Sequence, residues 1–139
     1  MWRGGESLRK KSLLFLASSL MAFMSGSVLF AHHGSRVSYD MKKMVTLTGT
    51  VTEFQWQNPH IYILFDAKDE NGVVTNWGAE SYSPAVMARS GWDHRTLKPG
   101  DKVTITLWPS KIGTPRGFLA KVVHPDGHVT DLTTRGGPE

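Results

Sequence analysis

Six histidines and no cysteine set the chemistry open to this chain. All six (His32, His33, His60, His94, His124 and His128) fall after residue 31. Without thiolates, imidazole nitrogen and carboxylate oxygen are the metal donors left, and nitrogen-rich tetragonal sets suit Cu(II). His32 and His33 stand together where a hydrophobic stretch ends. If processing makes His32 the first residue, its α-amine and ring chelate one ion, and a histidine brought in by the fold completes a three-nitrogen, T-shaped set. His60, fixed just after Asn58-Pro59, is the expected completing ligand. Glu80, on a strand with Trp77, is the expected outer carboxylate, orienting a ligating imidazole from behind. The expected metal residues are therefore His32, His33, His60 and Glu80, and the expected cofactor is copper.

The same residues admit other readings. Cleavage one residue earlier would put a histidine third, in Ala31-His32-His33, a chelate of Cu(II) or Ni(II) that needs no fold. A His-His start can also be merely a soluble beginning, and His60 a turn histidine bonded to backbone. His94, His124 and His128 sit in turns or at strand ends and are read as solvated.

The stretch before His32 argues for export. Arg3, Arg9, Lys10 and Lys11 precede an uncharged run from Leu13 to Phe30, and small Ala31 follows. A positive region, an apolar region and a small residue at the junction describe a secretory signal peptide over residues 1–31. The alternative is an uncleaved anchor, for which about 18 apolar residues is short. Either way the rest of the chain is expected outside the cytoplasm, periplasmic or secreted. The membrane is touched only through the leader, and then only if it stays attached.

The leader also explains the charge. Its four basic residues against Glu6 account for +3 of the net +4, leaving 12 basic and 11 acidic side chains beyond it. A nearly neutral domain has no broad field for nucleic acid, so no nucleic-acid partner is expected. No Gly-rich phosphate loop, nucleophile elbow, zincin helix or paired-carboxylate spacing is present. Ser83 before Pro84 reads as a helix cap. The aromatics Phe54, Trp56, Tyr62, Trp77, Trp92 and Trp108 could stack a sugar or a base, but core or rim packing accounts for them as well.

These residues must be positioned by strands. An arm over 32–43, with Val37 and Tyr39 as packing contacts, precedes a first strand from Met44 through Trp56. In it Val45, Leu47 and Val51 alternate with Thr46, Thr48 and Thr50. Gly49, on the apolar side, marks a bulge or a close backbone approach. After the Asn-Pro break a second strand, 60–67, is apolar on both sides and so central. Asn71-Gly72 turns the chain into a third strand, 73–80. A short helix opens at Ser83-Pro84 and ends at Gly91. Strands follow over 102–108, 118–124 and 129–132, with a polar loop between 109 and 117. This order predicts a mostly β fold: a small OB-like barrel of five to six strands, with one short helix between strands 3 and 4. A β-sandwich is the alternative. The barrel domain is expected over 44–132 and a frayed tail over 133–139. The expected core is Val45, Leu47, Val51, Ile61, Ile63, Phe65, Trp77, Val103, Ile105, Leu107, Leu119 and Val122.

Several pieces stand in order: the His-His start, Thr46-Leu47-Thr48-Gly49-Thr50-Val51, Trp56-Gln57-Asn58-Pro59-His60, Trp77 with Glu80, Ser83-Pro84, Gly91-Trp92 and Leu97-Lys98-Pro99-Gly100-Asp101. Together they resemble a family of small exported bacterial proteins known only as a domain of unknown function. The resemblance covers nearly all of the chain after the leader. It implies export and a compact β domain, and no activity. The resulting expectation is an exported, non-enzymatic binding module that handles copper through its N-terminal histidine. Its rivals are an oxidative copper enzyme acting on an extracellular polymer, and a structural or partner-binding envelope protein without a ligand.

Overall fold

A computed structural model describes residues 38–135; residues 1–37 and 136–139 lie outside the described residues. Among the described residues, six strands and one helix are laid out as β1 Val45–Gln55, β2 Tyr62–Lys68, β3 Val74–Glu80, α1 Pro84–Ala88, β4 Lys102–Pro109, β5 Arg116–Val123 and β6 Val129–Asp131. The strands form one sheet in the order β3-β2-β1-β4-β5-β6. A parallel pairing of β3 with β5, Gly78 to Glu80 against Arg116 to Phe118, joins its two sides and closes a five-stranded barrel. Closure of this kind, with β6 added as an extra strand on β5, decides for the OB-like barrel over the sandwich.

The alternation in β1 and β4 builds the wall. Val51, Val103, Ile105 and Leu107 point inward and are at most 2% exposed. The threonines face outward and pair across the strands, Thr46 with Thr106 and Thr48 with Thr104, each at 3.0 Å. Gly49 is a close approach: a Cβ there would lie 2.5 Å from the Asp66 carbonyl oxygen and 2.8 Å from the Phe65 ring. The bulge comes later, between Val51 and Glu53, and it turns Phe54 inward opposite Ile63. β2 is central, bonded to β1 and β3, as its two apolar sides require.

Inside the barrel Ile61, Ile63, Phe65, Ile105, Leu119 and Val122 are fully buried. Each such side chain contributes roughly 1.5–3 kcal/mol before entropy is set against it. Val45, Leu47 and Trp77, expected in this core, pack on it half-buried. Met87 of α1, Trp92, Leu97 and Leu132 belong to the same core; the first three come from segments without strand periodicity, and Leu132 from the end of the expected strand 129–132. α1 starts as expected, with the Ser83 hydroxyl accepting from the Val86 amide and Pro84 in its first turn. β5 starts two residues before the expected Phe118. Arg116 and Gly117 are drawn into it by pairing with β3 on one side, and Gly117 also by pairing with Pro109 on the other. Thr133–Arg135 forms a single 3-10 turn.

A second, smaller cluster lies on the outside of the wall. Along β3, Ala79 points into the barrel, so Gly78 and Glu80 point out. Tyr62 of β2 and Phe118 of β5 flank Glu80 on that outer side, and Trp108 of β4 pairs with Phe118. The segment before β1 lies along the end of β4. Tyr39 bridges to Ser110, and the Asp40 amide donates to the Pro109 carbonyl at 2.8 Å. Tyr39, Trp108, Phe118 and Ala120 pack there as one buried group, with Met41 and Tyr82 at its margin. Among the described residues no helix is long and apolar enough to cross a membrane.

Candidate functional site

Glu80 is the hub of the outer cluster. One carboxylate oxygen takes the Tyr39 hydroxyl at 2.5 Å. The other is bonded to Nδ1 of His60. His60 follows the cis Asn58–Pro59 bond, and its neighbour Ile61 is bonded through its backbone to Ser81 and Tyr82 beyond β3. The chain on either side of Glu80 thus carries His60 to it. The Glu80 side chain is 13% exposed and that of His60 37%. The carboxylate is held inside, and the imidazole reaches the surface. No hydrogen bond to Nε2 of His60 is present among the described residues.

Two phenols share this carboxylate. Burial, and then the hydrogen bond to Glu80 and its charge, push the Tyr39 hydroxyl well above the usual phenol range. Tyr62, opposite Glu80 in the β2–β3 pair, is raised as well, by burial first and then by the same carboxylate. Arg116 works against both shifts. Its guanidinium lies in the notch left by Gly78, where a Cβ would come within 2.8 Å of Nη1. The cluster therefore joins a fixed carboxylate, two neutral phenols, one oriented imidazole and one cation.

Of the four expected metal residues, the fold brings His60 and Glu80 together. His32 and His33 lie outside the described residues. Among the described residues no group of three or more His, Asp or Glu side chains gathers as a metal cage. His60 is thus a single nitrogen donor with a carboxylate behind it, the arrangement that ligating histidines use to fix their tautomer.

Tyr39, Tyr62 and Arg116 were not expected as partners of Glu80. A signal for Tyr62 exists: once the turn at Asp69–Gly72 is placed, hairpin register sets it opposite Glu80. Tyr39 and Arg116 arrive through the bridge to Ser110 and the parallel β3–β5 pairing, which no local pattern announces. The expectation that His124 is solvated is corrected, because it is 4% exposed. It follows β5 directly, but its ring turns onto Trp92, with centroids 5.2 Å apart. Trp92 and Trp108 are buried too, at 4% and 5%, so they pack the protein and offer no platform to a polymer.

A model of one protein family matches residues 21–120, most of the chain. The chain belongs to DUF6152, a family of unknown function. Membership agrees with the resemblance read from the motifs between the His-His start and Asp101, and adds no activity to it. The DUF6152 match spans β1 through β4 and most of β5, so every residue of the Glu80 cluster falls within it. No curated protein and no solved structure matches the chain.

Proposed function

We propose that this protein is an exported, non-enzymatic binding module that takes Cu(II) at His60. The observation that carries the reading is the Glu80 carboxylate bonded to Nδ1 of His60 on an imidazole that reaches the surface. A proton held at Nδ1 leaves the lone pair on Nε2, which is the state a metal needs. Tyr39 bonds the carboxylate from its other side, so the imidazole is aimed before an ion arrives. Further nitrogen would come from the mature N-terminus, His32 and His33, as the sequence leads one to expect.

Intact mass of the exported protein, with and without added Cu(II), tests both parts, because it gives the first residue and the stoichiometry together. One Cu(II) per chain near pH 7 is expected, lost in acid as the ligands protonate. His60→Ala is expected to abolish stoichiometric binding, and Glu80→Gln to weaken it by about 10–100-fold, the usual effect of removing the group behind a ligand. Stoichiometric copper on a chain with both His32 and His60 replaced by alanine would overturn the reading.

A further inference from the structure

The β5–β6 hairpin holds two histidines that the Glu80 cluster does not use. His124 ends the β5 side and is 4% exposed; His128, just before β6, is half-exposed. Their rings stack face to face, with centroids 3.8 Å apart and planes within 12°. Nε2 of His124 lies 3.0 Å from the Thr130 hydroxyl oxygen, which also accepts from the Trp92 indole N–H at 3.0 Å. Nδ1 of His128 pairs with Asp126 in the turn at 2.7 Å.

The stack is not a metal site. Imidazole lone pairs lie in the ring plane, and two parallel rings 3.8 Å apart cannot aim them at one ion about 2.0–2.1 Å from each. What the arrangement does is hold β6. This strand has three residues, paired with Lys121, Val122 and Val123 of β5. It delivers Leu132, 1% exposed, into the barrel core, where the Leu132 amide donates to the Ala120 carbonyl at 2.8 Å. So short a strand depends on side-chain contacts: Asp131 with Lys121 at 3.1 Å, Thr130 with His124, and the two stacked rings beside it.

Stacking is favourable when at least one ring is neutral. Two imidazolium rings at this distance repel, and the inner one has lost its water. The charges facing His124 are His128 across the stack, Asp126 in the turn and Asp101 before β4. Asp101 is itself bound by the Lys98 amide and ammonium. We propose that the His124–His128 stack is an acid-released catch: above neutral pH it holds β6 and Leu132 in place, and charging both rings frees β6 while the five-stranded barrel stays closed. The direction agrees with the environment of His124, whose basicity falls below the ordinary 6.5, through burial first and then the His128 charge. The released state binds the additional proton. The catch is therefore fully closed above about pH 6.5 and is lost as pH falls from there through the depressed value of the closed state.

Amide hydrogen exchange of the full chain at about pH 7.5 and pH 5 tests this, with rates corrected for intrinsic chemistry. In the wild type, protection at Val129–Asp131 is expected to fall about tenfold more than at Val103–Leu107, which belong to the wall that stays closed. His128→Gln changes a half-exposed residue and keeps the fold. In it the extra loss should shrink to about twofold, since one cation has no second to repel. His124→Gln should also flatten the response. Three results would overturn the proposal: β6 protection that follows β4 at both pH values, an undiminished acid response in His128→Gln, or a His128→Gln hairpin already open at pH 7.5, which would make the stack purely structural.

Discussion

His60 and His124 are the same residue in opposite settings. His60 reaches the surface on the outside of the barrel and is held by a carboxylate. His124 is sealed against Trp92 beside a second imidazole. Around Glu80 the protein gathers donors on one charge, and burial first, then that carboxylate, raises the phenols Tyr39 and Tyr62. Around His124 burial keeps a base neutral. The two regions therefore face opposite ends of the pH scale. The phenols destabilise the fold in alkali when they must ionise, and the imidazoles destabilise it in acid when they must charge. A polar group outside a barrel wall can be ordered by partners, whereas one at its closed end is ordered by exclusion of water.

Removing the charge at the centre of the first region should have the largest effect. Glu80→Ala leaves the Tyr39 hydroxyl and Nδ1 of His60 without their acceptor in a largely buried cluster. A loss of about 2–4 kcal/mol is expected, since hydrogen bonds to charged groups contribute about 1.5–3 each. For a domain of this size that lowers the midpoint of thermal unfolding by roughly 10–25 °C. Glu80→Gln keeps the shape and should lose about half as much. Equal midpoints for wild type and Glu80→Ala would mean that the cluster does not order the outer wall.

Tyr39→Phe removes one donor and keeps the ring on Phe118. It should cost about 1.5–2 kcal/mol at pH 8. The deficit shrinks in alkali. A phenol raised above 10.0 contributes stability that is complete below that value and lost as pH rises through the folded-state value. The variant should therefore lose less stability than the wild type above pH 10, while Tyr62 keeps part of the slope. Urea unfolding at pH 8 and pH 10.5 reads both effects. An unchanged alkaline slope would separate Tyr39 from the alkaline edge.

How legible each region is in the sequence follows from what holds it. Period-2 alternation in Val45–Val51 and Val103–Leu107, the Asn71-Gly72 turn and the Ser83-Pro84 cap are local, and they place the strands, the helix and nine of the twelve expected core residues. His60, just before β2, and Glu80, at the end of β3, stand at the open end of one hairpin, so a local pairing brings them together. Tyr39 and Arg116 have no such local pairing, because those that bring them, to Ser110 and to Gly78, span more than thirty residues. His124 was misplaced for a related reason. A histidine at a strand end beside Pro125 reads as solvated unless the burial of Trp92, in a segment with no strand or helix pattern, is known beforehand. Leu132 escaped the expected core in the same way, as a residue after a three-residue strand.

The smallest effect separates the two ways in which His124 can be held. Thr130→Val replaces the hydroxyl with a methyl of similar volume. It leaves the Trp92 indole N–H and Nε2 of His124 without their shared partner. An unsatisfied buried donor costs about 1–3 kcal/mol, and the valine methyl offsets part of that, so a net loss of about 1 kcal/mol at pH 7.5 is expected. The pH dependence carries the information. Burial is the leading cause of the lowered basicity of His124, and the like charge of His128 comes next. Valine changes neither, so the variant should lose stability in acid along a curve parallel to that of the wild type. If instead the acid loss moves to a different pH, the Thr130 bond is what selects the neutral imidazole. His124 would then resemble His60, a histidine held by its partner, and the contrast between the two regions would collapse into one of degree.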